Sequence, residues 1–321
     1  MTSISGALSP TFIPHLSDPP TDGEARDSSL APNRIGTWRH VNNEATSDID
    51  PTAEVFKRLA KQNPGALSLQ VTELATQRQQ QIAAFRTKTM IALGAHAMSA
   101  EKKDVIDSFE AIMTEENNGT VKLNGQILGK YADFMSELGA LMVKINAGVT
   151  AAEDGKSNLN GHGILVALTE FSRSFSGERK TIGSFSNKAD AIAFQGRFRG
   201  NTAELSWNAN TRKYDVNFNM GGLNPILDAV ANTPADAEVL KSELAKRTDL
   251  SAFGMHLRRD KVTSPTVQSL SLATSDVQKT FQTDLDLQIN ELSRSISQFD
   301  NLVKLFSSMI ASLADTYKTF L

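Results

Sequence analysis

The sequence contains no cysteine, which removes thiol nucleophiles, disulfide frameworks and every zinc site that needs thiolate. That absence does not fix the compartment, but it suits a chain that crosses a redox boundary unfolded. Basic charge is not in excess either. The 33 Lys and Arg face 36 Asp and Glu, a net charge of −3, so there is no general basic surface for phosphate backbones and no nucleic-acid partner is expected. Long apolar runs are missing. Thr89 to Ala100 and Leu305 to Ala314 are the longest, and both are shorter than the roughly 18–20 residues of a spanning helix, so no transmembrane segment is expected. The first residues lack a charged region followed by an apolar one, which excludes a Sec-type signal peptide. His15, His40, His96, His162 and His256 are scattered singly, and no metal site is expected from them.

What is present suffices for a core. Hydrophobic residues are 40% and charged residues 21% of 321 positions, enough for about two domains. Residues 1–50 hold five of the ten prolines, and 17 of these 50 are Ser, Thr or Pro without apolar periodicity. This segment reads as a disordered leader carrying an export signal. From 51 to 118 the pattern is helical. A short piece with Val55, Phe56 and Leu59 ends at Asn63-Pro64-Gly65, and a long piece follows with Leu67, Val71, Leu74, Ile82 and Phe85. A third, capped by Ser99, carries Val105, Phe109 and Ile112. Together they predict an N-terminal helical hairpin closed by the turn residues Asn117-Asn118-Gly119.

Two heptad seams come next. Ile127, Tyr131, Phe134, Leu138, Leu141 and Ile145 step 4-3-4-3-4, although interspersed glycines each cost about 1 kcal/mol of helix propensity. At the C-terminus Ser264-Pro265 reads as a helix start, and no Gly or Pro follows in the remaining 56 residues. There Ile289, Leu292, Ile296, Phe299, Val303, Phe306, Ile310, Leu313, Tyr317 and Phe320 alternate 3 and 4, preceded by a stutter at Val277, Phe281 and Leu285. Residues 122–149 and 265–321 are thus expected to form a long antiparallel central coiled coil. Between them, 150–264 is richer in Gly and Asn. It predicts short strands from Ala203 to Phe218 with a turn at Asn208–Thr211, and helices over Ile164–Phe175, Leu223–Ala231 and Pro234–Lys246. The predicted fold is mainly α, with a mixed α/β subdomain inserted at the end of the coiled coil.

Length arithmetic adds a constraint. The C-terminal seam runs about 65 Å and the seam from Ile127 to Val149 about 33 Å, so antiparallel pairing leaves half of the longer one bare. Exposed Phe306, Ile310, Leu313, Tyr317 and Phe320 would promote aggregation. Either the N-terminal hairpin or another chain has to cover them.

Catalytic chemistry finds no support. Asp154-Gly155-Lys156-Ser157 ends like a phosphate loop, but Thr150 stands where its first glycine belongs. Reading Gly161 as the sixth position of a calcium loop puts Lys156 at the first, the wrong charge. Asp133 and Glu137 share a helix face and read as solvated flanking charges with ordinary acidity. His162, His256 and the tripeptide Arg197-Phe198-Arg199 read as surface groups. No catalytic residue, cofactor or metal is therefore expected, and the chain reads as a non-enzyme.

The stretch Gln298-Phe299-Asp300-Asn301-Leu302-Val303-Lys304, followed by Leu305 to Leu321, resembles the C-terminal signature of type III secretion needle-tip proteins of the IpaD/SipD/BipD invasin type. The resemblance implies a secreted virulence protein located on the bacterial surface at the needle tip. Its N-terminal hairpin would act as a self-chaperone, keeping a monomer in solution. Phe299, Asp300, Asn301, Val303, Lys304, Phe306, Ile310, Leu313, Tyr317 and Phe320 would then meet the needle protein and neighbouring copies, typically about five in a tip pentamer. The tip would control effector secretion and offer a platform for translocator proteins that form the host-membrane pore. Some members bind bile salts beside the coiled coil, a ligand the resemblance leaves open here. Two other classes fit the pattern: a flagellum-like filament or cap protein, and a secreted enzyme with its site in 150–264.

Overall fold

The computed structural model describes residues 51–62, 64–92, 100–153, 156–258 and 261–320. The expected leader and export signal, the Ser99 cap and Asp154-Gly155 lie outside the described residues. Proline opens the first two helices, α1 (Pro51–Gln62) and α2 (Pro64–Ala92), where a missing N–H leaves no bond unmade. The break between them falls at the expected Asn-Pro-Gly.

The next junction departs from expectation. Helix α3 (Ala100–Glu116) passes into α4 (Lys122–Ala147) through five π-helical residues, Asn117–Val121, with helical backbone on both sides. Asn117-Asn118-Gly119 therefore does not turn the chain. Asn117 and Val121 are buried, and tertiary packing overrides the local preference of the tripeptide. The result is one continuous rod from 100 to 147. Helix α2 runs antiparallel to it, with Arg86 beside Asp107 and Glu110, Gln79 beside Asn117, and Val71 against Gly125.

The inserted region begins with two strands that the sequence pattern did not predict, β1 (Val149–Ala151) and β2 (Ser157–Leu159). Helix α5 (Gly161–Ser174) follows, capped by the Asn160 side chain, and then β3 (Thr181–Phe185) and α6 (Lys188–Gln195). Strands β4 (Ala203–Asn208) and β5 (Lys213–Phe218) form the expected hairpin, paired from Ala203↔Phe218 to Asn208↔Lys213. The Asn208 side chain accepts from the Asn210 and Thr211 backbones, and Arg212 takes a positive φ, closing the turn. Strand β3 joins the free edge of β5, giving an antiparallel sheet of order β3-β5-β4.

Helices α7 (Asn224–Val230) and α8 (Pro234–Ala245) match the two predicted there. Strand β6 (Lys261–Val262) then returns to β2, so a β1-β2-β6 sheet clasps the insert where it leaves α4 and re-enters α9 (Ser264–Phe320). Strands of two or three residues are too short to display an alternation. The structure is mainly α, with a mixed α/β insert at one end of an antiparallel pair. Descending contacts give the direction: Asn124 Nδ2 donates to Ser295 Oγ at 2.7 Å, Tyr131 OH to Asp284 at 3.2 Å, and Phe134 lies 4.8 Å from Phe281.

Candidate assembly interface

Helix α9 has three faces of different character along its length. Its first half, from Val277 to Ile296, is closed by α4 and the insert. All six predicted partners on α4 (Ile127, Tyr131, Phe134, Leu138, Leu141 and Ile145) are buried. Phe134 is the hub: its ring meets Phe218 at 4.3 Å, Phe175 and Phe281 at 4.8 Å, and Phe171 at 5.2 Å. Five aromatic side chains from four elements thus meet at one point.

A carboxylate lies beside that hub. Asp284 is fully buried and accepts from Thr202 Oγ1 at 2.6 Å, the Arg199 backbone N–H at 3.0 Å and Tyr131 OH at 3.2 Å. Burial pushes its pKa above the ordinary carboxylate range, against the pull of these donors. Burial and the neighbouring Asp284 charge also push the Tyr131 phenol well above its usual value. The three donors come from α4 and from the loop before β4, so Asp284 ties the insert to both long helices. Gly200 makes this approach possible: its φ is +59°, and a Cβ there would lie 2.8 Å from Thr280 Cγ2.

Arg197-Phe198-Arg199 is accordingly not a free surface tripeptide. Phe198 stacks 5.8 Å from Tyr131, Arg197 pairs with Glu291 at 3.5 Å, and the Arg199 N–H holds Asp284. Asp133 is also not ordinary, because partial burial raises its pKa. In Glu137 burial acts the same way, but the Ser174 hydroxyl and the Arg179 guanidinium outweigh it and lower the value. His256 contacts Asp236 at 2.6 Å and is half-buried, while His162 is exposed.

Beyond Ile296 the cover of α9 changes from α4 to the hairpin. Phe299 is fully buried under the Arg78 guanidinium, 5.3 Å from its ring centre. Arg78, itself only 9% exposed, forks onto both oxygens of Asp300 and bonds Gln81 Oε1 at 3.0 Å. Phe306 stacks flat on Phe109 of α3, centroids 4.2 Å apart, and Ile310 is buried in the same zone. Val303 is half-buried, and Asn301 and Lys304 are exposed. The side chains of Tyr317 and Phe320 lie outside the described residues.

A third face is open. Leu305, Met309 and Leu313 recur every four residues and are 54%, 43% and 39% exposed. Leu313 is therefore not part of the covered seam, as the heptad reading had it, but of an apolar stripe beside it. The pattern drew attention to the seam alone. Leu305 and Met309 fell outside it, and Arg78 sits in a polar run whose local spacing carries no sign of a distant partner. Asp284 and Gln288 had a weak signal: they stand inside the stutter, where successive steps of four turn extra positions inward.

Among the described residues no group of His, Asp and Glu could hold a metal ion. No helix of the described residues is long and apolar enough to cross a membrane. A depression of about 580 Å³ between α2 and α3 is lined by Arg86, Asp107 and Glu110, where Arg86 already pairs with both carboxylates.

No protein-family model and no curated protein sequence matches the chain. Solved structures do. BipD, a component of the type III secretion system of Burkholderia pseudomallei, superposes with a TM-score of 0.51 at 14% identity, covering 79% of this chain and 82% of its own. A second BipD structure, described as an invasion protein associated with that system, gives 0.52 at 12% identity over 85% and 97%. The chain therefore has the fold of BipD, and the resemblance noted at its C-terminus extends to the architecture. These neighbours are secretion and invasion proteins rather than enzymes.

Proposed function

We propose that this chain is the tip component of a type III secretion needle. It is exported, caps the needle as a small oligomer, controls effector release and presents a platform to translocator proteins at the host membrane. The mechanism is helix exchange without covalent chemistry. Apolar residues of α9 beyond Phe299 trade their cover on the hairpin for needle and neighbouring helices, driven by apolar burial at about 25 cal/mol per Å².

One observation carries this reading. The distal half of the α9 seam is covered by the chain's own N-terminal hairpin, through Arg78 and Phe109, rather than by its coiled-coil partner α4. A cover of that kind keeps a monomer soluble and is replaceable by a partner helix. The BipD fold supports the same assignment.

Immunogold labelling of producing bacteria tests it. Label at the ends of surface needles, lost in Phe306→Asp while export persists, is the expected result. Normal tip occupancy by Phe306→Asp overturns helix exchange. Wild-type label along filaments or only in the medium overturns the tip role.

A further inference from the structure

We infer that the hairpin does not leave α9 as one body: it has a fixed base and a detachable end, divided by a polar layer and a π-helical hinge. The inference rests on the exchange reading above for its purpose, but its geometry belongs to the isolated chain. Helix α3 runs into α4 without a turn, and α4 is anchored by Tyr131 and Phe134 in the aromatic core. Helix α3 can move off α9 only by bending the rod. The π-helical residues Asn117–Val121 are its one departure from α-helical bonding, and such segments are where helices bend.

A polar layer lies at the level of this hinge. At this level Arg78 pairs with Asp300 and Asn117 faces Gln79, the next residue of α2, yet buried Arg78 Nε and Asn117 Oδ1 find no hydrogen-bond partner in the protein. Asn117 reaches Gln79 only at 3.5 Å. An interface parts most readily where its buried polar groups are already incompletely paired.

The two sides of this layer differ in how they are held. On the base side, Leu67 and Val71 of α2 are buried, and a Cβ on Gly125 would collide with Val71. On the end side, Arg86 binds Asp107 and Glu110, a link within the hairpin that survives release. The contacts that must separate include the Phe109–Phe306 stack and those that bury Ile310.

A cysteine-free chain allows a direct test. A Cβ on Gly125 lies 3.8 Å from Val71 Cβ, the separation typical of a disulfide, so Val71→Cys/Gly125→Cys can lock the base. Hydrogen–deuterium exchange of the full chain is then read by peptide. Oxidation is expected to change exchange over 80–92 and 100–116 by less than about twofold. Slowing of both by about tenfold or more means the hairpin opens as one body and overturns the inference. Asp300→Asn should speed exchange at least about tenfold over 80–92, 100–116 and 302–313 while sparing 122–147. Equal acceleration in 122–147 overturns it. Should the cysteine variant not fold, the wild-type protein decides: a drop in protection between 66–76 and 80–92 supports the division, and one common rate refutes it. Absence of the protein from needle tips would sink the tip role and leave these exchange results standing.

Discussion

The two halves of α9 are built from the same 3-4 apolar spacing, yet they are covered in different ways. Between Val277 and Ile296 the helix lies in a closed core. Phe281 joins the rings around Phe134, and buried Asp284 has three donors. Beyond Phe299 the cover is thinner. One stacked pair, one Arg–Asp fork and a buried isoleucine face the hairpin, while Leu305, Met309 and Leu313 look outward. A repeat that specifies a helix and its inward face does not specify how firmly that face is held. Firmness depends on how many elements converge on it.

The comparison can be broken at three depths. Phe134→Ala removes the hub of the closed half and should cost about 4 kcal/mol, lowering the midpoint of global unfolding in urea. A loss under about 1 kcal/mol would mean the aromatic cluster is not what makes this half firm. Phe306→Ala should cost about 3 kcal/mol but locally, raising exchange in 100–116 with little change in the urea midpoint. An equal fall in global stability would erase the distinction between the halves.

The smallest effect concerns pH. Asp284 has its pKa raised in the fold, so the folded state holds this proton more tightly than the unfolded one. Ionised Asp284 therefore costs stability at neutral pH, and that cost is relieved as pH falls through the raised value. The stability difference between Asp284→Asn and wild type should accordingly shift in favour of wild type on acidification from pH 7 toward the ordinary carboxylate range. A pH-independent difference would show that the Thr202, Arg199 and Tyr131 donors fully compensate burial.

Much of this architecture was legible residue by residue. Asn63-Pro64-Gly65 marked a break, Ser264-Pro265 a start, and Asn208–Thr211 a hairpin turn, because each acts through its own backbone. The seams from Ile127 and from Ile289 were legible because amphipathic spacing is a property of one helix. Asn117-Asn118-Gly119 was misleading for the opposite reason. Its turn preference is a small local free energy, overridden where packing buries Asn117 and Val121. The clasp of β1, β2 and β6 gave too few residues for a pattern.

By itself, then, the sequence determined the helical periods, the breaks, the insert and the need for a cover on the distal half of α9. All follow from composition and from spacings within a few turns. Only the tertiary structure decided which side chains supply that cover. Arg78 and Asp300 stand 222 positions apart, and nothing in the local spacing of either announces the other. It also decided that Asp284 is enclosed and that Leu313 is open, because burial depends on where the other helices end, and no window along one helix contains that information.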